Sequence, residues 1–189
     1  MRWAKKMLLE NPNSKVLFLL RDPRAVMMSQ MHRLENPMKL NFTENLTYFC
    51  KYLGDDIEHA EILSNLFPGR VKVAHYEIGA MSPLLYTEAL YKFIGLNMTD
   101  EVTQYVKSIT NASHDEIGFG LGIVRKNSTE AVYSWRHTNS YKHAKLVDKM
   151  CGGLYGKLGY KMVSTKEELL SDTSLLVEPE NPSMFVTTP

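Results

Sequence analysis

An arginine and a serine with the spacing of an anion-binding pair follow an apolar run near the start of the chain. The segment KVLFLLRDPRAVMMS covers residues 15–29. If residues 15–20 form a strand, Arg21 lies just beyond its carboxyl end, where the ligands of open α/β sheets bind. Ser29 falls in the helix expected next, on the same face as the small Ala25. An arginine fork and a hydroxyl group beside an alanine can together bind a phosphate group.

The neighbouring Arg21 and Asp22 also have a simpler interpretation. An arginine and an aspartate at a strand end commonly form a surface ion pair, which contributes less than about 1 kcal/mol to stability. Both interpretations fit the residue types, and this segment alone does not choose between them.

The elements around this segment are predicted from the apolar pattern and the turn residues. Residues 15–20 are apolar without alternation, which is typical of a strand covered on both faces. Asp22 can cap the following helix, and Pro23 can occupy its first turn. This helix is predicted to run to about Glu35 and to end before Asn36-Pro37.

The rest of the chain alternates helices and strands. A long amphipathic helix is predicted over residues 42–67, with Asn41 and Glu44 as a capping box. A second strand over 71–77 follows it, so the strand–helix–strand order indicates an α/β fold with a parallel sheet. Residues 164–189 are polar and contain prolines, which predicts a flexible tail with little to bury. Further predicted elements are a first helix ending at Asn11-Pro12, helices over 83–94, 99–109 and 140–158, a long loop over 111–139 and a helix end at Gly159.

Composition limits the classes of protein to which the chain can belong. Its 189 residues fit one globular domain, and 22 basic against 21 acidic residues give a net charge of +1. With this balance, the overall charge does not attract nucleic acid or an anionic membrane surface, so an anion site must depend on a local cluster of positive charge. No stretch reaches the roughly 18 apolar residues of a membrane helix, and the first residues do not form a targeting signal.

The two cysteines, Cys50 and Cys151, both fall on apolar faces of predicted helices. They are either two buried thiols or, in an oxidising compartment, a disulfide. Such a disulfide would close a loop of about 100 residues and contribute up to about 4.7 kcal/mol in the chain-entropy model. An excess of glycosylation sequons is weak evidence for a secretory compartment. The sequons are at Asn41, Asn45, Asn97, Asn111 and Asn127.

The segment LFLLRDPRAVMMSQ, residues 17–30, resembles the 3′-phosphate-binding segment of the Golgi carbohydrate sulfotransferases. These enzymes transfer a sulfuryl group from 3′-phosphoadenylyl sulfate (PAPS) to a carbohydrate hydroxyl group. In the family, the arginine that opens the segment and the serine eight positions later bind the 3′-phosphate, and Arg21 and Ser29 match both. The resemblance therefore implies a PAPS site. The residues of this segment that would form it are Arg21, Asp22, Pro23, Arg24, Ala25, Val26, Met27, Met28 and Ser29.

Three further segments resemble the family in the same order. HYEIGAMSP (75–83) is similar to its Tyr-Glu-Asp-Leu…Pro segment, with Ile78-Gly79 where the family has Asp-Leu. RKNSTEAVYSWRHT (125–138) is similar to its Arg-Asn…Trp-Arg loop, which closes over the nucleotide, and CGGLYGKLGYKMV (151–163) to its Cys…Leu-Gly-Tyr ending. The subgroup that sulfates N-acetylglucosamine, galactose or N-acetylgalactosamine at C6 is the most similar. In the loop, Arg125 and Lys126 would reach the phosphates of the nucleotide, and Trp135 and Arg136 would lie at the hinge.

The resemblance implies a P-loop-NTPase-like three-layer α/β fold with a parallel sheet. Residues 1–163 would be the C-terminal part of a sulfotransferase domain. The N-terminal strand and the Gly-Ser/Thr-rich loop that cradles the 5′-phosphosulfate would precede residue 1. GGLYGKLG (152–159) does not replace that loop, because its glycine spacing differs and it lies within a helix pattern. The family further implies a glycan or glycosaminoglycan acceptor, a Golgi lumen location and no metal or nucleic acid, and it leaves a homo-oligomer open.

No catalytic base is assigned from the sequence. Sulfuryl transfer needs a base for the acceptor proton, and His75 and Glu77 end the second predicted strand. A lone histidine at a strand end is more commonly a packed residue, and the family places its base before residue 1. A second hypothesis is therefore a nucleotide-binding or interaction module without catalysis, which would keep the 3′-phosphate site but lack the 5′ loop.

Overall fold

A two-stranded parallel sheet carries the segment with which the sequence analysis began. The structure, a computed structural model, describes residues 2–32, 41–114 and 122–188. Strand β1 (Val16–Leu20) pairs with strand β2 (Val71–His75), in a register that runs from Val16 opposite Val71 to Leu20 opposite His75. The described helices are α1 (Arg2–Glu10), α2 (Pro23–His32), α3 (Phe42–Leu66), α4 (Tyr76–Met81), α5 (Pro83–Ile94), α6 (Asp100–Thr110), α7 (Ser128–Thr138), α8 (Tyr141–Cys151), α9 (Tyr155–Leu158) and α10 (Lys166–Leu170). Short 3₁₀ turns lie at Gly152–Leu154 and Pro182–Met184.

The predicted α/β class with a small parallel sheet is confirmed, and several predicted helices form as expected. Helix α3 is capped by Asn41, whose side-chain oxygen accepts from the Glu44 N–H at 3.3 Å. The predictions for α1, α5 and α6 agree with the structure within one or two residues. Helix α2 begins at Pro23 as predicted, whereas its predicted end near Glu35 lies outside the described residues.

Residues 128–138, predicted as part of a long loop, form helix α7, so that prediction is wrong. The Asn127 side chain accepts from the N–H groups of Thr129 and Glu130 and caps the helix. Ser128 donates to the Ala80 carbonyl oxygen at 2.7 Å, which attaches α7 to α4. The apolar pattern of this segment is interrupted by a buried arginine, Arg136, so periodicity alone missed a helix that tertiary packing stabilises.

The predicted helix over 140–158 is divided in two. Helix α8 ends at Cys151, a 3₁₀ turn follows over Gly152–Leu154, and α9 resumes at Tyr155. Two consecutive glycines lower helix propensity at the break. Gly159 ends α9 with φ +75°, a left-handed conformation that favours glycine, so the predicted helix end is confirmed.

The two faces of β1 differ, and the prediction that both are covered is wrong. Phe18 and Leu20 point to the main core, where Leu20 is 2% exposed. Leu17 and Leu19, on the other face, are 41% and 67% exposed. On that face Ala74 of β2 packs against Tyr86 of α5, but none of the described helices covers β1. An unbroken apolar run does not reveal this difference, because it looks the same on both faces.

The main core joins β1 and β2 to α3, α8 and α9. At its centre Cys50 of α3 and Cys151 of α8 form a disulfide, with 5.1 Å between their Cα atoms. Of the two alternatives left open by the sequence, the disulfide is thus the one found. The core residues are Leu20, Met27, Leu46, Cys50, Ile57, Ala60, Val73, Val147, Cys151, Tyr155, Leu158, Tyr160, Met184 and Phe185.

The segment after Val163 contributes to the core, in contrast to the expectation that it has little to bury. Leu169 and Leu175 pack against Trp135 of α7. Further along, Phe185 forms a β-bridge with Val73, and the Val186 N–H donates to the Val73 carbonyl oxygen at 2.8 Å. Among the described helices, none combines the length and apolar character needed to cross a membrane.

Candidate functional site

The candidate site is formed where β1 and β2 end side by side. Leu20 is opposite His75, so Arg21 and Tyr76 are the next residues of the two neighbouring strands. The Arg21 guanidinium carbon lies 4.4 Å from the centre of the Tyr76 ring. This cation–π contact holds the arginine in place without neutralising its charge. Arg21 is half-buried, and among the residues that the structure describes no carboxylate forms an ion pair with it.

The alternative of a surface ion pair between Arg21 and Asp22 is therefore wrong. Asp22 is buried, and its carboxylate caps its own helix by accepting from the Arg24 N–H at 2.9 Å. Both Asp22 oxygens also bind the Arg24 side chain. The predicted cap is confirmed, and the positive charge of Arg21 at the strand end is not paired with any carboxylate in the described part of the chain.

Ser29 lies on α2 and is half-buried, four residues after Ala25. From the sequence, the small Ala25 was expected to leave room for a ligand. Instead Ala25 is 2% exposed and packs against Trp135 and Ala144. Its small size lets α2 approach α7 and α8 closely. Within this segment Arg21, Val26 and Ser29 are partly exposed, so a ligand can reach these three residues. The other predicted site residues of the segment are buried, namely Asp22, Pro23, Arg24, Ala25, Met27 and Met28.

Arg125 lies next to the uncovered face of the sheet. Its N–H donates to the Ile109 carbonyl oxygen at 2.8 Å, and its carbonyl oxygen accepts from the Ala112 N–H at 3.0 Å. Arg125 and Tyr76 line one open cavity of about 290 Å³. Arg125 is therefore connected to Arg21 through Tyr76, which lines the cavity and stacks on Arg21, while the adjacent Lys126 is exposed. Apolar side chains form much of the wall of the cavity, among them Leu19, Tyr86 and Ile123.

Arg24 has surroundings opposite to those of Arg21, because it is 0% exposed. Its Nε and Nη2 atoms donate to the two oxygens of Asp22 at 2.8 and 2.7 Å. Nη1 donates to Asp148 Oδ1 and to the Lys161 carbonyl oxygen, both at 3.1 Å. Burial alone would lower the pKa of Arg24, but the carboxylates outweigh burial and keep its pKa above the ordinary value. Arg24 is therefore a structural cation rather than a ligand contact.

Asp148 completes this network from helix α8. Its Oδ1 accepts from the Tyr155 hydroxyl at 2.9 Å, and its Oδ2 accepts from the Val163 N–H at 2.9 Å. The rings of Tyr155 and Trp135 flank the Arg24 guanidinium, with centres 5.2 and 5.7 Å from its carbon. Burial raises the pKa of Tyr155, so its hydroxyl stays protonated and donates. We call Asp22, Arg24, Asp148 and Tyr155 the Arg24 network.

Glu77 joins the two strand ends from the side of β2. The sequence predicted that Glu77 ends the second strand. Strand β2 instead ends at His75, and Glu77 lies in the first turn of α4. Its two oxygens accept from the Asp22 N–H at 2.8 Å and from the Tyr160 hydroxyl at 2.9 Å. Burial raises the pKa of Glu77, and the nearby Asp22 charge adds to this, against the opposing effect of the two donors. With both oxygens bonded to the protein, Glu77 has a structural role.

His75 is a packed residue, as the sequence analysis favoured. Its Nε2 lies 2.7 Å from the Leu158 carbonyl oxygen, so Nε2 carries the proton and donates to it. The ring stacks on Phe185 with centres 4.7 Å apart. Burial lowers the pKa of His75 and favours the neutral ring. Since His75 is 3% exposed, it is not accessible to an acceptor hydroxyl group.

Trp135 and Arg136, expected at a loop hinge, are buried in α7. The Arg136 Nη1 donates to the carbonyl oxygens of Ser171 and Thr173 at 2.6 and 2.8 Å, so it anchors the segment after α10. Burial lowers the pKa of Arg136, and Asp22 partly compensates. A small void of about 10 Å³ next to Arg136, Asp22 and Glu77 has room for about one water molecule.

Sequence reasoning missed three residues that shape the site. Tyr76 follows β2 as Arg21 follows β1, but the predicted second strand ran to residue 77, so no signal in the sequence placed Tyr76 beside Arg21. Asp148 stands on the apolar face of α8 three residues before Cys151, and an acid on such a face indicates a buried partner. The third is Tyr155, which no sequence pattern distinguishes from an ordinary core tyrosine.

The arrangement can bind an anion and does not itself provide a base. Arg21 stacks on Tyr76, and Tyr76 and Arg125 line the same open cavity, whose wall is largely apolar. Arginine forks suit phosphate oxygens, and an aromatic ring beside them suits a ligand with a planar apolar part.

Comparison with known proteins shows that the chain is similar in sequence to carbohydrate sulfotransferases. Carbohydrate sulfotransferase 1 of Rattus norvegicus is 27% identical over 187 residues, which cover 90% of this chain and 45% of that protein. Carbohydrate sulfotransferase 3 of Homo sapiens is 27% identical over 197 residues, covering 95% of this chain and 40% of that protein. Carbohydrate sulfotransferase 1 of Danio rerio is 27% identical over 190 residues, covering 92% and 45%. No family model matches the chain. No solved structure matches it either.

The chain spans a little under half the length of the relatives that it matches. The alignments nevertheless include nearly all of this chain, in agreement with the segments whose resemblance the sequence analysis described. The chain is a homologue of the carbohydrate sulfotransferase family.

Proposed function

We propose that this protein binds a nucleotide with a 3′-phosphate and takes part in sulfuryl transfer from PAPS to a carbohydrate hydroxyl group. The observation that carries the proposal is Arg21 at the end of β1, which stacks on Tyr76 and forms no ion pair with a carboxylate of residues 2–32, 41–114 or 122–188. The family resemblance expects the 3′-phosphate at this arginine. The homology to carbohydrate sulfotransferases supports the reaction class and the carbohydrate acceptor.

Three residues have direct roles in the proposed site. Arg21 supplies the guanidinium fork for the 3′-phosphate, because no carboxylate that the structure describes neutralises its charge. Ser29 donates its hydroxyl from α2, and Arg125 supports the phosphates from the far side of Tyr76. Lys126, next to Arg125, adds positive charge at the surface. The buried residues between Asp22 and Met28 set the shape of the site rather than touch the ligand.

The remaining parts of the proposal concern the whole reaction. A P-loop-NTPase-like arrangement, in which residues 1–163 match the C-terminal part of the sulfotransferase domain, is proposed from the resemblance. Neither His75 nor Glu77 is assigned as the base, because both are buried and bonded to the protein. A location in the Golgi lumen agrees with the Cys50–Cys151 disulfide, since disulfides persist in oxidising compartments.

The first test is the stability and affinity of this chain with 3′,5′-ADP, compared with 5′-AMP at the same concentration. At 100 times its dissociation constant a ligand adds about 2.7 kcal/mol, which for a chain of this size raises the melting temperature by several degrees. We expect stabilisation by 3′,5′-ADP alone, and we expect Arg21→Ala to abolish it.

The matched control for this test is Arg70→Ala. Arg70 immediately precedes β2, at the opposite end of the sheet, and donates to the Ser14 and Asn11 carbonyl oxygens. Its removal makes the same change in charge, so the affinity for 3′,5′-ADP should not change. Equal binding of both nucleotides, or unchanged binding in Arg21→Ala, would contradict the proposed 3′-phosphate site. The non-catalytic module would be favoured by binding of 3′,5′-ADP without any transfer.

A further inference from the structure

The junction between β1 and α2 is held on three sides by buried groups. On the β2 side, the Asp22 N–H donates to Glu77. Within α2, the Asp22 carboxylate binds both the N–H and the side chain of Arg24. On the side of α8, Arg24 reaches Asp148, which is 124 positions further along the chain. Arg21 immediately precedes this junction, so its backbone has little freedom to shift.

Asp148 is the point at which three separate segments meet the Arg24 network. It accepts from Arg24 of α2, from the hydroxyl of Tyr155 and from the N–H of Val163. Its side chain is 2% exposed and that of Arg24 is 0% exposed. Burial makes each of these charge-assisted bonds sensitive to the loss of a single partner. A change at Asp148 therefore acts on the start of α2 from a distance.

We propose that Asp148 is a positioning residue for the phosphate-binding edge, acting through Arg24 to fix where Arg21 and Ser29 stand. This inference rests on the proposed 3′-phosphate site. Asp148 is inside the protein and makes no contact with the ligand. Its effect is to select one position of the helix start, in which the Arg21 guanidinium lies over Tyr76.

The test compares Asp148→Asn with a variant that is destabilised elsewhere. Leu63→Ala is the matched control, because Leu63 is 2% exposed in α3 and packs with Leu8 and Val71, in a cluster separate from the Arg24 network. Affinities are measured well below the melting temperature of each variant. We expect Asp148→Asn to weaken 3′,5′-ADP binding about tenfold or more, as for the loss of one charge-assisted phosphate contact, and Leu63→Ala to leave it unchanged.

Tyr155→Phe provides a milder second variant, since it removes one donor to Asp148 and keeps both charges. It should weaken 3′,5′-ADP binding about two- to threefold, a fraction of the loss of a whole contact. It also carries the comparison if Asp148→Asn does not fold. If the affinity for 3′,5′-ADP in both network variants equals that of Leu63→Ala, the inference is overturned.

Hydrogen exchange distinguishes failure of this inference from failure of the proposed function. The Arg24 and Val26 N–H groups donate to Asp22, so their exchange rates report on the helix start without any ligand. We expect exchange at these two amides to accelerate in Asp148→Asn but not in Leu63→Ala. Accelerated exchange in a protein that does not bind 3′,5′-ADP would refute the proposed function while supporting Asp148 as the anchor of α2. Unchanged exchange would refute the anchor itself.

Discussion

Arg21 and Arg24 stand three residues apart at one strand–helix junction, and their surroundings are opposite. Arg21 is half-buried, unpaired with any described carboxylate and stacked on Tyr76. Arg24 is completely buried and bound by Asp22 and Asp148. One helical turn therefore separates a charge available to a ligand from a charge that belongs to the core. The difference teaches that residue type alone does not identify a site, because the same guanidinium group serves binding in one place and architecture in the other.

The largest expected effect comes from removing each arginine in turn, which tests whether the two differ in their contribution to stability. Arg24→Ala leaves two buried carboxylates without their cation and should lower the free energy of unfolding by about 3–5 kcal/mol. Arg21→Ala should lower it by only about 0.5–1 kcal/mol, because it loses the cation–π contact with Tyr76 but no ion pair with a described carboxylate. Urea denaturation followed by circular dichroism measures both. Similar losses for the two variants would show that the contrast between the two sites is false.

The second prediction concerns the disulfide that holds helix α8, which contributes Asp148 to the Arg24 network. Cys50 and Cys151 tie α3 to α8, the helix that carries Asp148, across a sequence separation of 101 residues. Replacing both cysteines by alanine should lower the free energy of unfolding by about 2–5 kcal/mol. The same urea measurement, with and without reductant, checks it. Reductant should destabilise the wild-type protein and leave the double variant unchanged, and equal sensitivity of the two would contradict the disulfide.

The smallest predicted effect concerns the pH dependence of stability. At the end of β2 the contrast between a core residue and a site residue occurs again, because His75 faces the core and Tyr76 faces the site. Burial lowers the pKa of His75 from its ordinary value of 6.5 in the unfolded chain. Below about pH 6.5 the unfolded chain therefore takes up a proton that the folded protein does not. Stability should fall as the pH drops from 6.5 towards the folded pKa, and it should be constant with respect to this group above 6.5.

His75→Gln isolates this effect, because glutamine can donate to the Leu158 carbonyl oxygen but does not titrate. Glu77 also has a shifted pKa, so the comparison uses the difference between the two pH profiles rather than either profile alone. Denaturation at pH 7.5, 6.5 and 5.5 should show the wild-type protein losing stability relative to the variant. Parallel profiles would mean that His75 is not held neutral by the fold.

The parts of the fold that could be predicted are those whose signals are local. Asn41 and Glu44 marked the start of α3, Asp22 and Pro23 marked the start of α2, and Gly159 marked a helix end. Helix α7 had a similar signal, since Asn127 and Glu130 have the spacing of a cap, but the buried Arg136 hid its apolar face.

The parts that could not be predicted depend on contacts between distant residues. The sequence placed Arg21 at a strand end correctly, but Tyr76 joined it only through the parallel register of the strands. Arg24 was expected at the ligand because its partner, Asp148, is 124 positions away. The exposed face of β1 was missed for the same reason, since whether a helix covers Leu19 is a property of the assembled fold.

The disulfide also changes the covalent connectivity of the chain. With Cys50 joined to Cys151, the residues between them form a closed covalent ring that bears two arms. Arg21 and Ser29 belong to the first arm, whereas Tyr76 and Arg125 belong to the ring. A protease that cuts once inside the ring leaves the molecule in one piece until it is reduced. A cut between Ser29 and Cys50, by contrast, leaves the arm that carries Arg21 without a covalent connection to the ring, so that only the pairing of β1 with β2 and core packing hold it.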